Sequence, residues 1–144
     1  TQSAPVHTYA NTGIYNVTLT VTDNKGATGV SSQPVNVTSP PTNIHVEAVK
    51  KGIVGTGTLY PQANVTVYDN NGNPVQNVVV SGQFQVPSLN IWQSITATTN
   101  VNGKAIFTGT SGSTALTTFT FCVYGLQHPT LWFNSALNKV TSCS

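Results

Sequence analysis

Few residues in this chain of 144 could do chemistry, and their types limit what that chemistry could be. Three histidines, His7, His45 and His128, are its candidate bases near neutral pH, and Asp23, Glu47 and Asp69 are its only side-chain carboxylates. Nucleophilic catalysis needs a serine or cysteine activated by a histidine that an acid in turn orients. No Gly-x-Ser-x-Gly elbow is present, and no acid stands at a telling spacing from a histidine. His45 falls on what reads as the exposed face of a strand, together with Glu47, and His128 sits in the turn before Pro129. No catalytic residue is assigned, and the chain is expected not to be an enzyme. Asp23 and Asp69 lie in turns beside Asn and Gly, a context that can offer oxygen ligands to Ca²⁺. Three acids in the whole chain cannot build a multi-carboxylate cage, so the favoured reading is an Asx turn in which each carboxylate bonds its own backbone. No metal and no cofactor are expected.

Cys122 and Cys143 have no histidine or further cysteine at zinc spacing near them, so a disulfide between them is favoured over two buried thiols. Such a bridge points to an oxidising compartment. Three sequons, Asn16-Val17-Thr18, Asn36-Val37-Thr38 and Asn64-Val65-Thr66, each place the asparagine on the outward side of a strand. They are glycosylation sites if the host glycosylates its exterior, or chance in a chain rich in Asn and Thr. Trp92, Trp132, Tyr124 and Phe133 form either an aromatic platform for sugar rings or, the favoured reading, part of the core, with Trp92 the exception. No ligand-binding residue is assigned beyond these.

The elements that must position these residues are strands. Charged residues make up only 6% of the chain, against a usual share of about a quarter, and Arg is absent. Thr, Ser, Asn and Gln must therefore carry the polar surface, which suits a pleated sheet and not a helix. A hydrophobic share of 38% is enough for a core. A net charge of +2 on scattered lysines makes no phosphate-binding stripe, so nucleic acid is excluded as a partner. No run is long and apolar enough to span a bilayer as a helix. Residues 1–5 have neither the basic nor the apolar character of an export signal, so a signal is expected upstream or already removed.

The stretch 15–22 alternates with period two, which puts Tyr15, Val17, Leu19 and Val21 on one face and Asn16, Thr18, Thr20 and Thr22 on the other. Asp23-Asn24-Lys25-Gly26 follows as a turn, then a strand over 28–38. Ser39-Pro40-Pro41-Thr42 breaks the pattern and is read as a linker. Beyond it, strands are expected over 44–49, 64–69, 78–86, 92–98, 104–108, 116–124 and 130–133, with 52–59 a bulged edge or hairpin. Asn102-Gly103 is a hairpin signal between the strands at 92–98 and 104–108. Short strands punctuated by turns describe a β-sandwich.

Residues 5–27, with His7-Thr8-Tyr9, Gly13-Ile14-Tyr15-Asn16-Val17-Thr18-Leu19-Thr20-Val21-Thr22-Asp23 and a final Val35-Asn36-Val37 strand, closely resemble the C-terminal half of a PKD (polycystic kidney disease) domain. His7 belongs to that motif, and Gly13 provides its tight entry turn. The family's N-terminal half, with its Trp-Asp-Phe-Gly-Asp-Gly signature, is missing, so the resemblance covers about half a module. Residues 43–144 are similar to a bacterial or archaeal Ig-like domain of secreted proteins, through Val65-Thr66-Val67-Tyr68-Asp69-Asn70-Asn71-Gly72-Asn73-Pro74-Val75 and Thr99-Asn100-Val101-Asn102-Gly103-Lys104-Ala105. The close of the chain resembles variants whose last strands are stapled by a disulfide. The fold class implied is all-β, immunoglobulin-like β-sandwich modules with the first one incomplete: a partial module at 1–38, a linker at 39–42 and a sandwich at 43–144. The function implied is extracellular and non-catalytic, as a structural or adhesive stalk, filament or surface-assembly segment; the alternative is the C-terminal accessory region of a secreted hydrolase. Expected partners are other subunits or β modules, including strand addition to the incomplete module, with polysaccharide or insoluble polymer as a further candidate. The localisation implied is secreted or cell-surface.

Overall fold

A computed structural model describes residues 6–141 and Cys143; the opening segment read above for an export signal lies outside the described residues. The chain divides into two compact units, Thr1–Pro40 and Pro41–Ser144.

In the first unit β1 (Gly13–Thr22) and β2 (Thr28–Val37) form a two-stranded antiparallel sheet, in register from Gly13↔Val37 to Thr22↔Thr28. The Asp23 carboxylate closes the turn by accepting from the backbone N–H groups of Lys25 (2.8 Å) and Ala27 (2.9 Å), while Gly26 takes φ +86°. Tyr15 anchors the entry: its hydroxyl donates to the Asn11 carbonyl at 2.9 Å, and its ring stacks on Tyr9, which meets His7 edge-on.

The second unit is an immunoglobulin-like β-sandwich. One sheet has the order β7 (Lys104–Thr108), β4 (Tyr60–Asp69), β3 (Asn43–Val54), β9 (Trp132–Phe133); the other has β6 (Ile91–Thr98), β5 (Val79–Val86), β8 (Thr120–Gln127). Strict alternation puts Ala63, Val65 and Val67 of β4 against Val80 and Phe84 of β5, with Ala105, Phe107, Phe121 and Val123 completing the core. Phe121 sits at its centre, 4.7 Å from the Phe84 ring and 4.9 Å from Phe107. Gly82 is small for this reason: a Cβ there would lie 2.4 Å from the Phe121 ring.

Of the two readings for 52–59 the hairpin holds: Gly52–Val54 end β3, the chain turns at Gly55 and Gly57, and Val54 pairs with Tyr60 at the start of β4. Several other expectations change. A register shift between Val46 and Ala48 makes Glu47 an extra residue, so Ile44, Val46 and Val49, not Ala48, reach the core. Asn102-Gly103 is a turn but not a hairpin, because β6 and β7 belong to opposite sheets. The hairpin lies earlier, where Pro87–Leu89 and left-handed Asn90 join β5 to β6. The strand expected over 116–124 begins at Thr120 and runs to Gln127, because its partner β5 supplies positions only from Gln85 to Val79. Strand length follows the partner, not the β-branched run.

The end of the chain lies along the free edge of β3. β9 pairs with it in parallel, Asn134 N–H bonds the Ile44 carbonyl, and the Val46 N–H donates to the Asn138 carboxamide at 2.8 Å. The Cys122–Cys143 disulfide ties this segment to β8 of the other sheet.

Candidate functional site

Two surfaces stand out, one in each unit. On the hairpin, Val17, Leu19 and Val21 are exposed, Leu19 by 58%. Among the described residues of the first unit, no further strand covers the row that alternation assigns to a core. The middle of the opposite face is a polar network, in which Ser32 Oγ donates to the Asn16 carboxamide oxygen (3.1 Å) and pairs with Thr18 Oγ1 (2.9 Å), with exposed Ile14 and Val30 towards its ends. The unbroken apolar row of β1 is the one that suits a second sheet.

The second surface is the outer face of β6-β5-β8. Cross-strand pairing builds one row from Trp92, Gln85 and Thr120 and the next from Ser94, Gln83 and Cys122. Gln83 Nε2 donates to Ser94 Oγ (3.2 Å). The Tyr124 hydroxyl donates to Gln83 Oε1 (2.9 Å) and accepts from Gln85 Nε2 (3.2 Å). Trp92 and Tyr124 are more than half exposed. Trp132, read as core, is also exposed, because β9 is an edge strand and only Leu131 and Phe133 turn inward; Tyr124 is corrected in the same way. Phe133 packs on the core.

The ionisable residues do local work. Asp69 is buried and accepts from the N–H groups of Asn71 (2.8 Å) and Asn73 (2.9 Å), as Asp23 does in its own turn. Both are Asx turns. His45 is not exposed as expected: the chain end lies along this stretch of β3, and the side chain is buried. Its Nε2 stands 3.1 Å from Glu47 Oε2, a pair the sequence reading missed although an i, i+2 spacing on a strand is its signal. The remaining nitrogen, Nδ1, is buried and has no hydrogen-bond partner among the described residues. The geometry supports a role in holding the β3 bulge. His128 Nδ1 accepts from the Thr130 N–H within its turn. Among the described residues no group of three or more His, Cys, Asp or Glu could hold a metal ion.

Of the sequon asparagines, Asn16 and Asn36 are exposed, and Asn64 is half-buried on the outer side of β4. A depression of about 420 Å³, open to solvent, lies between Lys51–Ile53 and Thr117–Phe119, where Lys51 Nζ donates to the Phe119 carbonyl and sits over its ring. The lysine is thus already engaged. No helix of the described residues is long and apolar enough to cross a membrane.

A family model described as PKD domain matches residues 1–39, which supports the first of the two resemblances. PKD domains are Ig-like, non-catalytic modules, typically extracellular and often adhesive or structural. That match does not extend to the resemblance over 43–144, whose sandwich architecture stands on the structure itself. Neither the curated proteins nor the solved structures compared with the chain show a match.

Proposed function

We propose that this chain is a non-catalytic segment of an extracellular structural or adhesive assembly, in which the PKD-like hairpin is completed by strands from outside residues 1–144. The observation that carries this reading is the exposed row Val17, Leu19 and Val21 on a two-stranded sheet. Two strands alone are marginal in water, and three or more with a covered apolar face are needed. Among the described residues no further strand pairs with either edge of the β1–β2 sheet, so each edge is open to strand addition. A neighbouring subunit is the donor we favour. Such a contact is head-to-tail and propagates into a filament unless its rotation closes a ring. The disulfide and the PKD match support an extracellular setting. In that setting Asn16, on the face opposite the apolar row, and Asn36 and Asn64 are available to glycosylation. Glycans there would leave the docking face clear.

Light scattering after size-exclusion chromatography tests this on the whole chain, with Leu19→Asp and Val101→Asp as variants; both residues are exposed, but Val101 lies in a loop of the second unit. Self-association abolished by Leu19→Asp and kept in Val101→Asp supports a neighbouring donor. A monomer whose Tyr15 and Leu19 contact no other part of the chain by nuclear Overhauser measurements supports donation from flanking sequence instead. A monomer in which residues 43–144 cover Tyr15 and Leu19 overturns the proposal.

A further inference from the structure

We infer that the outer face of β6-β5-β8 is a binding platform for a neutral polysaccharide, with Trp92 and Tyr124 as its ring-stacking residues. The inference uses the second unit alone and does not rest on completion of the hairpin.

Three features of the face point to this ligand. The first is exposed aromatic surface held in place. Tyr124 is 58% exposed, yet its hydroxyl both donates to Gln83 and accepts from Gln85, so its ring cannot swing freely. Trp92, 53% exposed, is the direct cross-strand partner of Gln85. The negative face of an aromatic ring attracts partly positive hydrogens, and the C–H-lined face of a pyranose presents a flat array of them. A rigid ring loses little conformational entropy on binding.

The second feature is a centre made of carboxamides and hydroxyls. Gln83 and Gln85 lie between the two aromatic residues, bonded to each other (3.0 Å), to Ser94 and to Tyr124. Carboxamides and hydroxyls both donate and accept, which matches sugar hydroxyls that do the same. A protein partner would favour a desolvated apolar centre with a polar rim, and this face has the opposite arrangement.

The third feature is charge. The outward residues include Val79, Ser81, Gln83 and Gln85 of β5, Trp92, Ser94, Thr96 and Thr98 of β6, and Thr120, disulfide-bonded Cys122 and Tyr124 of β8, and none of them is ionisable near neutral pH. An acidic glycan or a nucleic acid finds no cation here, whereas an uncharged chain meets no desolvation cost for buried charge. β6 and β8 flank β5 at a separation of about 10 Å, a span that linked sugar rings bridge and a single ring does not. The ligand is therefore a polymer and not a monosaccharide.

Affinity electrophoresis of the whole chain tests this in gels containing hydroxyethyl cellulose, xylan, galactomannan or laminarin, each run at low and high salt. The expected result is retardation in at least one gel that persists at high salt. Trp92→Ala and Tyr124→Ala should each weaken it by about tenfold or more. Tyr124→Phe, which keeps the ring but frees it, should weaken it less. Trp132→Ala removes an exposed aromatic from a different edge and should change nothing. All these side chains are exposed, so folding is expected to survive, and circular dichroism checks that it does. Unchanged mobility in all four gels overturns the proposal, as does binding that Trp132→Ala removes and Trp92→Ala spares. Leu19→Asp should not alter retardation and Trp92→Ala should not alter self-association, so this inference and the proposed function fail separately.

Discussion

The two units contain nearly the same local sequence with opposite fates. Thr20-Val21-Thr22-Asp23-Asn24-Lys25-Gly26 and Thr66-Val67-Tyr68-Asp69-Asn70-Asn71-Gly72 share Thr-Val-x-Asp-Asn-x-Gly. Both close with the same turn: the Asp carboxylate accepts from the N–H groups two and four residues on, and the glycine takes φ +86° in one and +84° in the other. Yet Val21 is 57% exposed and Val67 is fully buried. The local chemistry is shared, and what differs is the presence of an opposing sheet. Alternation therefore specifies which face wants burial, and the rest of the molecule decides whether burial happens.

The largest effect expected from breaking this comparison is an unpaired charge at the two valines. Val67→Asp should destabilise the second unit by more than about 4 kcal/mol, because the charge enters a core with no partner. Val21→Asp should leave the unfolding free energy of the second unit, read from urea titration, within about 0.5 kcal/mol of the parent, while disrupting the assembly. Equal midpoints for the two variants would refute the contrast.

Next comes the disulfide, a constraint that only the second unit has. Replacing Cys122 and Cys143 by Ala should cost the second unit about 3 kcal/mol for a loop of sequence separation 21. Amide exchange should rise along 132–139, which the bridge helps hold on the β3 edge, and should not change in β1–β2. A uniform rise across both units would show that the bridge acts more widely.

The turn acids sharpen the comparison. Asp69 is buried and Asp23 is exposed, although their bonds are alike. Asp69→Ala leaves the Asn71 and Asn73 N–H groups without their acceptor in a part-buried turn and should cost about 2 kcal/mol. Asp23→Ala lets water replace the carboxylate and should cost less than about 1 kcal/mol. Thermal unfolding reads the first, and exchange of the Lys25 and Ala27 amides reads the second.

The smallest effect should be the same in both units. At Gly26 and at Gly72 a Cβ would meet nothing within 4 Å, so alanine at either costs only the backbone conformation, about 1 kcal/mol. The equivalent glycine after Asn100 differs. A Cβ at Gly103 would lie 2.5 Å from the Val67 carbonyl, so Gly103→Ala should cost more than either. Hydrogen exchange in the flanking strands ranks the three.

What this sequence determined by itself is whatever nearest neighbours decide. Period-two runs set the strands and their inward rows, as in Ala63, Val65 and Val67, and the pattern Asp/Asn-x-x-Gly set the turns, since φ beyond +60° strongly favours glycine. The all-β character followed from a chain with almost no charge to cover exposed helix faces. What only the tertiary structure decided is whatever depends on distant partners. Asn102-Gly103 turns the chain as its residues dictate, but β6 joins β5 and β7 joins β4, because sheet membership is settled by the edges left free. His45 looked exposed until the chain end came to lie along β3, and Trp132 looked buried until its strand proved to be an edge. Gln83, Gln85 and Tyr124 are separated by up to 41 residues and became one network only through pairing of β5 with β8. Alternation is encoded within a strand, but burial belongs to what lies opposite it, and that is contributed by residues far away in the chain or outside it.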